Sequence, residues 1–469
     1  MTQTTRRDFL KQSAAALTAA GSVPYFLSSQ QPVMAQQASD RLRMGFIGVG
    51  DMGRGNARGF NGLLDIVAIC DVDSLHLDVT QNDGNIGKKD ADGNKIKLDA
   101  YKDYRKILER DDIDVVAVVT PDHWHTKICI EAMQAGKHVF CEKPLTLTLE
   151  ENQLIRAACK KYNKVFQVGT QQRSQRDQFA LATLIVRKGL LGKIEKVVCN
   201  IGDGPTSGAI PKADVPETLD FEMWLGQAPL TEYIASEEKA HPDRNPSWPR
   251  RSRTHYEFRW WYEYSGGKFT DWGAHHVDCA MWALDLLNDG QGPTKIKPIL
   301  AEHPVPYKDG YPTLDDRYNT SHRFDIECTF DEGPVMHVVS HSPDGNGILF
   351  EGTEGRMHVS RGRIAGAPFE RIKDNISELF PNEEFDKLYN GMRFEGHKQN
   401  FVRCIREGGL PVSDLYTHVQ AMSVCHLCVI AARLGREVVW DPKTERTGDE
   451  QSQSFVAREK RKGYEIPRV

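Results

Sequence analysis

The sequence is poor in three things, and each scarcity excludes something. Its ten cysteines are scattered along 469 residues. That is too sparse for a disulfide scaffold, and several fall in apolar segments that read as core. Cys425 and Cys428 have CxxC spacing, but they lie in the periodic helical run Ala421 to Leu434 with no second pair nearby. They read as helix packing rather than as a metal or redox site, and no metal centre is expected. No run of 18 or more apolar residues marks a membrane span, and mean hydropathy is -0.51. Positive charge is not in excess either, since 60 Lys and Arg face 65 Asp and Glu for a net -5. Recognition of a phosphate backbone needs a concentrated positive surface, so no nucleic-acid partner is expected. What remains is an ordinary globular composition, 39% hydrophobic and 27% charged. The chain is about three times the roughly 150 residues that serve as a one-domain prior, so two domains are expected.

Thr5-Arg6-Arg7-Asp8-Phe9-Leu10-Lys11 precedes the small, apolar run Ser13 to Ala20, and Val33-Met34-Ala35 offers a small-residue cleavage site before Gln36. This resembles a twin-arginine export signal with Thr in place of the usual Ser. It implies a signal peptide over 1–35, a periplasmic or otherwise exported product, and the twin-arginine export machinery as a partner, with no stable membrane insertion after processing. That machinery moves folded proteins, so a cofactor could be loaded before export.

The next element is a strand-like run, Arg41 to Ile47, followed by Gly48-Val49-Gly50-Asp51-Met52-Gly53 and a helix expected over Gly53 to Phe60. A GxGxxG between strand and helix allows a tight turn and close approach of a pyrophosphate to free helix N–H groups. A second strand, Leu64 to Cys70, ends at Asp71. A carboxylate there suits ribose hydroxyls and repels a 2′-phosphate, favouring NAD over NADP. The Gly-, Asp- and Lys-rich stretch Asn82 to Lys95 reads as a solvent-facing insertion, because its Asp90 to Asn94 pattern does not fit a calcium loop. Asp114 to Val119 reads as a buried strand before Thr120-Pro121-Asp122-His123-Trp124-His125, and another strand ends in Cys141-Glu142-Lys143-Pro144. Helix Leu147 to Lys161 then leads to strand Val165 to Gly169. Alternation of strands and helices implies a parallel sheet, whose ligands sit beyond the C-terminal strand ends. Candidate cofactor contacts are therefore Gly48, Gly50, Asp51, Met52, Gly53, Asp71, Thr120, Pro121, His125, Glu142 and Lys143.

The motifs GVGDMG, TPDHWH and CEKP, in this order and spacing, resemble those of the Gfo/Idh/MocA oxidoreductase family. The resemblance covers essentially everything after residue 40. It implies an α/β fold: an NAD-binding Rossmann domain, here 41–168, and a second α/β domain with a large, mainly antiparallel sheet that often carries subunit contacts, here 169–440. A polar tail, 441–469, follows. A homodimer or homotetramer is expected. The Lys of the EKP element lies at the nicotinamide and the substrate hydroxyl in that family, and its Pro often follows a cis bond.

In the second half, Arg173 follows a strand end and has two readings, a clamp on a carboxylate or sugar hydroxyls and an ion pair at the domain interface. Trp248 and Trp261 belong to an aromatic-rich stretch that suits either pyranose binding or the cover of an inter-domain seam. Gly266 to Asp278 opens a helix expected to reach Leu287, with Asp271 and His275 on one face and Asp278 one turn further. This matches the family's Asp-xxx-His-xx-Asp helix, whose Asp and His join the EKP Lys at the reacting alcohol. The resemblance thus implies Lys143, Asp271 and His275 as catalytic and substrate-contacting residues. The implied activity is hydride transfer between NAD and a secondary alcohol of a sugar, glycoside or polyol. A redox-assisted glycosidase or lyase with tightly bound, recycled NAD is an alternative, as is a non-catalytic sugar-binding protein. The Tyr-Pro-Thr-His element of the family's N-acetylgalactosaminidase branch is absent, and Asp-Trp-Gly-Ala-His-His stands instead.

Overall fold

Parallel strands covered on both faces read as continuous apolar runs, and five short ones of this kind, with one polar edge strand, build the first sheet. A computed structural model describes residues 41–238 and 248–469. The twin-arginine motif, the Ala35 cleavage site and Asn245 to Ser247 lie outside the described residues. Strands β1 (Arg43–Ile47), β2 (Asp65–Cys70), β3 (Asp99–Tyr101), β4 (Val115–Val118), β5 (His138–Cys141) and β6 (Phe166–Val168) form a six-stranded sheet in the order β3-β2-β1-β4-β5-β6. Every pairing in it is parallel. The order reverses beside β1, which creates the crevice where ligands of doubly wound sheets bind. Helices α1 (Asp51–Phe60), α2 (Asp122–Gln134) and α3 (Leu149–Tyr162) connect these strands. Thr148 caps α3 by accepting a hydrogen bond from Glu151 N, and Asn163 ends it at φ 49°.

The second sheet has nine strands, β7 (Ile194–Asn200), β8 (Lys295–Glu302), β9 (Arg323–Thr329), β10 (Val335–Val339), β11 (Gly347–Gly352), β12 (Gly355–Val359), β13 (Ile364–Ala365), β14 (Val438–Asp441) and β15 (Arg446–Thr447). Their order is β13-β12-β11-β7-β10-β9-β8-β14-β15. Only the β7–β10 pair is parallel. Among the strands that sequence patterning misses, one in each sheet shows why. The three-residue edge strand β3 has no apolar pattern, and β8 carries Pro298 at a register shift that skips Ile299.

Helices α4 (Leu181–Arg187) and α5 (Lys268–Asp271) pack on α6 (Gly273–Ala283), which packs on β7 and β11 of the large sheet. The helix expected from Gly266 to Leu287 is thus broken once, at Trp272. Helices α7 (His397–Glu407) and α8 (Leu415–Leu434) return to the first half. By length and composition α8 could cross a membrane, but 83% of its apolar window is buried inside the protein, against α3, α6, β8 and β9. Cys425 and Cys428 sit within it, both buried. The polar tail is tied to the first half of the chain. Glu150 N donates to Val456 O at 2.9 Å, Lys127 Nζ donates to Glu465 O at 2.8 Å, and Phe455, Val456 and Ile466 are buried.

The α1 side of the first sheet is closed by a residue from far along the chain. Phe401 on α7 is fully buried against Phe60 and Phe140, with ring centroids 6.2 and 5.9 Å apart. Truncating so enclosed a ring removes its burial and leaves a cavity. Phe401→Ala should therefore lower stability by about 3–5 kcal/mol, read as a shift of the urea unfolding midpoint with an unchanged slope.

Candidate active site

The Gly48 turn has no room for a side chain. Its φ is +87°, and a Cβ there would lie 2.4 Å from the Val119 carbonyl oxygen. A Cβ on Gly53 would lie 2.2 Å from the Gly48 carbonyl, so α1 starts directly against the turn. Gly50, by contrast, faces nothing closer than 3.5 Å, and no side chain caps the helix N-terminus. The N–H groups at that end are left for an anion. Asp71, at the end of β2, accepts from Val49 N at 2.8 Å and Asp73 N at 2.9 Å. These groups open onto a cleft of about 1340 Å³, its mouth included. Every expected cofactor contact lines it except His125. The cradle fits a dinucleotide.

His125 lies behind the wall instead. It is 1% exposed, with Nδ1 2.6 Å from Pro144 O and Nε2 2.8 Å from Thr120 O. Burial pushes its pKa down to about 4. From there it braces the two segments, at Thr120 and Pro144, that lead to the cleft. The Lys143–Pro144 bond it supports is cis.

At the far end of the cleft, Lys143 Nζ donates to Asp271 Oδ1 at 2.5 Å and lies 3.3 Å from Asp271 O. This pair joins the end of β5 to α5. Burial would raise the Asp271 carboxyl, but Lys143, Arg259 and Lys268 hold it down at about 2. Arg259 Nε is 3.7 Å from the same oxygen. His275, one turn beyond, is 3% exposed, and its Nδ1 is buried without a hydrogen-bond partner among the described residues. Burial first, then Lys143 and Arg361, drive its pKa well below the ordinary histidine value. Protonation of the ring is thus disfavoured. Asp122, which also lines the cleft, accepts from Ser265 Oγ at 2.5 Å, and burial carries its pKa up to about 7.

Sequence reasoning placed Trp248 at the substrate, and the structure places it at the other end of the cleft. Its indole Nε1 donates to His76 Nε2 at 3.0 Å, and the ring stacks on His255 at 5.1 Å. His76 Nδ1 is 3.1 Å from Asp71 Oδ2, and His255 Nε2 is 3.0 Å from Asp73 Oδ2. Burial would lower the His76 pKa, but Asp71 and Asp73 lift it above its ordinary value. Asp73, His76 and His255 bring three metal-ligand atoms within 4.8 Å of one another, yet those atoms are engaged with each other and with Trp248. Trp248 is therefore a wall of the Asp71 end. His76 and His255 were not foreseen, because only the fold brings residues 71–76 beside 248–255.

The pattern of a GxGxxG cradle, an acidic β2 end and a lysine at the β5 end agrees with the comparisons. Residues 42–170 match the "Oxidoreductase family, NAD-binding Rossmann fold" description of Gfo/Idh/MocA, and residues 203–466 match its "Oxidoreductase family, C-terminal alpha/beta domain". The chain belongs to the Gfo/Idh/MocA oxidoreductase family. A curated "Glycosyl hydrolase family 109 protein" from Shewanella pealeana is 34% identical over 213 residues, which is 40% of this chain and 44% of that protein. The match thus spans under half of either protein. Among solved structures, the WlbA dehydrogenase of Bordetella pertussis in complex with NADH and UDP-GlcNAcA aligns over 85% of this chain and 99% of its own, at 17% identity and TM-score 0.55. The myo-inositol 2-dehydrogenase of Lactobacillus plantarum aligns over 85% and 99%, at 19% identity and TM-score 0.52. These two likenesses are of fold.

Two further expectations for this Gfo/Idh/MocA chain need correction. Arg173 is 1% exposed and clamps Asp278 with Nε–Oδ2 at 2.7 Å and Nη2–Oδ1 at 2.6 Å, while Nη1 donates to Val412 O. Asp278 also lies 2.9 Å from His418 Nδ1. Of its two readings, the interface ion pair is the one the structure adopts, and the clamp is unavailable to substrate. Trp261 is fully buried, donates to Ser252 O at 3.0 Å and lies beneath Arg253. It packs in a satellite core with Tyr264 and Trp224.

Removing one charge of a buried pair strands the other. Asp278→Asn should therefore cost about 3–5 kcal/mol, measured by urea unfolding.

Proposed function

We propose that this chain is an NAD-dependent oxidoreductase that moves hydride between nicotinamide and a secondary alcohol of a sugar, glycoside or polyol. The observation that carries the reading is the buried Lys143–Asp271 pair at the end of the dinucleotide cleft, with neutral His275 one turn away. NAD bound in the cleft would supply the hydride acceptor. The residues do the rest. Lys143 presents a cation to the substrate oxygen and stabilises the alkoxide that develops as the C–H bond breaks. His275 takes the hydroxyl proton, so one carbonyl forms, one hydride leaves carbon and one proton reaches imidazole. Asp271 holds Lys143 in place. Asp71 supports NAD over NADP, since a 2′-phosphate there would face a carboxylate.

A second reading draws support from the curated relatives, which are named glycosyl hydrolases. In it, oxidation to a ketone acidifies the neighbouring C–H, the glycosidic oxygen leaves by elimination, water adds, and the hydride returns. Retained NAD with cleavage and no net NADH would mark that route.

Replacing Lys143 or His275 removes a group needed at the transition state rather than for cofactor binding. Lys143→Met and His275→Asn should each lower kcat by about 10²–10⁴, with the Kd for NAD within about threefold. Equal loss of NAD affinity and turnover in a folded variant would remove these roles. A depressed pKa keeps the base unprotonated to lower pH. In pH profiles, kcat/KM should therefore show no limb at 6.5, the ordinary histidine value, and should fall only at more acid pH.

A further inference from the structure

Positive charge gathers around the Lys143–Asp271 pair, although the whole chain is net -5. Arg259 approaches Asp271 from one side. Two more cations lie against Trp272, the residue that follows Asp271. Arg361 Cζ stands 4.6 Å from the centre of the indole, and Lys268 Nζ stands 5.9 Å from it and 5.9 Å from the centre of Trp260. In the amide orientation that satisfies both neighbours, buried Gln172 accepts from Arg361 Nε at 3.1 Å and donates to His275 O at 3.2 Å. The guanidinium is thereby tied to the helix that carries the proton acceptor.

Neither cation has an ion-pair partner of its own: among the described residues, no carboxylate oxygen lies within 4.0 Å of Lys268 Nζ or of the Arg361 guanidinium. Asp271 is already held by Lys143. Neither Lys268 nor Arg361 lines the dinucleotide cleft, so the cofactor's pyrophosphate is not what they serve. Cations that flank a buried ion pair without a carboxylate of their own favour an anion beside it. A guanidinium set on an indole face, with its outer nitrogens unpaired among the described residues, matches a carboxylate or another oxyanion through paired N–H bonds.

We propose that the substrate is an anionic sugar, whose acidic group is held by Lys268 and Arg361 while its reacting hydroxyl sits at Lys143 and His275. This rests on the hydride-transfer reading and names the substrate class for it. The shared chemistry is an oxyanion on the sugar, and a uronic acid and a sugar phosphate are its two sources.

The test uses the full-length protein with NAD and three probes, methyl glucoside, methyl glucuronide and glucose 6-phosphate. NADH formation reports turnover, and tryptophan fluorescence reports binding without turnover. The expected result is that one of the charged sugars exceeds the neutral one in kcat/KM by at least about tenfold at low salt, with the advantage shrinking as salt rises. Which charged sugar leads identifies the source. Arg361→Gln and Lys268→Met should each reduce that charged-to-neutral ratio about tenfold, mainly through KM. Arg361 is exposed, so its variant keeps the test intact if the Lys268 variant does not fold. A neutral sugar used equally well, or an unchanged ratio in both variants, would overturn the inference and leave hydride transfer standing. If no probe yields NADH, fluorescence still decides. Salt-sensitive binding of a charged sugar that weakens in Arg361→Gln would uphold the anion site while hydride transfer fails, and its absence would overturn the anion site.

Discussion

The Lys143–Asp271 ion pair is the constraint on which the rest of the site depends. Its two members come from distant segments, Lys143 from the end of β5 and Asp271 from the short helix before Trp272, and their side chains are 12% and 9% exposed. Taking such charges out of water is unfavourable unless geometry and further partners compensate. Here Arg259 and Lys268 add attraction for Asp271 and keep it ionised down to about pH 2. Burial first, then Lys143 and Arg361, lowers the tendency of His275 to protonate. Lys143 acts in both settings, and the proposed oxidation of an alcohol rests on this ion pair and the His275 ring one turn away.

The architecture serves that corner. The order of the parallel sheet opens a crevice beside β1, and the glycines of the first turn let the chain bend where any Cβ would strike the Val119 carbonyl. Helices from late in the chain complete the earlier half. Phe401 fills the core beside Phe60, and α8 packs against both halves. The buried Arg173–Asp278 clamp, with Val412 and His418, ties the strand end after β6 to α6 and α8. The position of His275 is thus set by contacts between segments more than 100 residues apart.

What the sequence made legible were features with local causes. The Gly48 turn needs a glycine whatever surrounds it, Asp71 follows from its place at a strand end, and the Lys143 element carries a specific pattern. The sequence could also put Asp271 and His275 on one helical face, because that is a matter of spacing. It could not tell which buried charge would meet Arg173, since Asp278 lies 105 residues on. Nor could it assign the aromatic stretch, where Trp248 closes the Asp71 end and Trp261 fills a satellite core, although both lie in similar surroundings in the sequence. His76, His255, Arg259, Lys268 and Arg361 carried no motif. Their meaning comes from a neighbour that only folding supplies.

The most direct test of hydride transfer at this corner follows a label rather than a rate. Protein loaded with NAD would be mixed with sugars deuterated at ring carbons that bear secondary hydroxyls, quenched within one turnover, and the released nucleotide weighed. The account predicts nucleotide one mass unit heavier than unlabelled NADH, with deuterium from a single ring position. Reduced nucleotide carrying no deuterium from any position, or NAD that stays oxidised while the sugar is consumed, would contradict it.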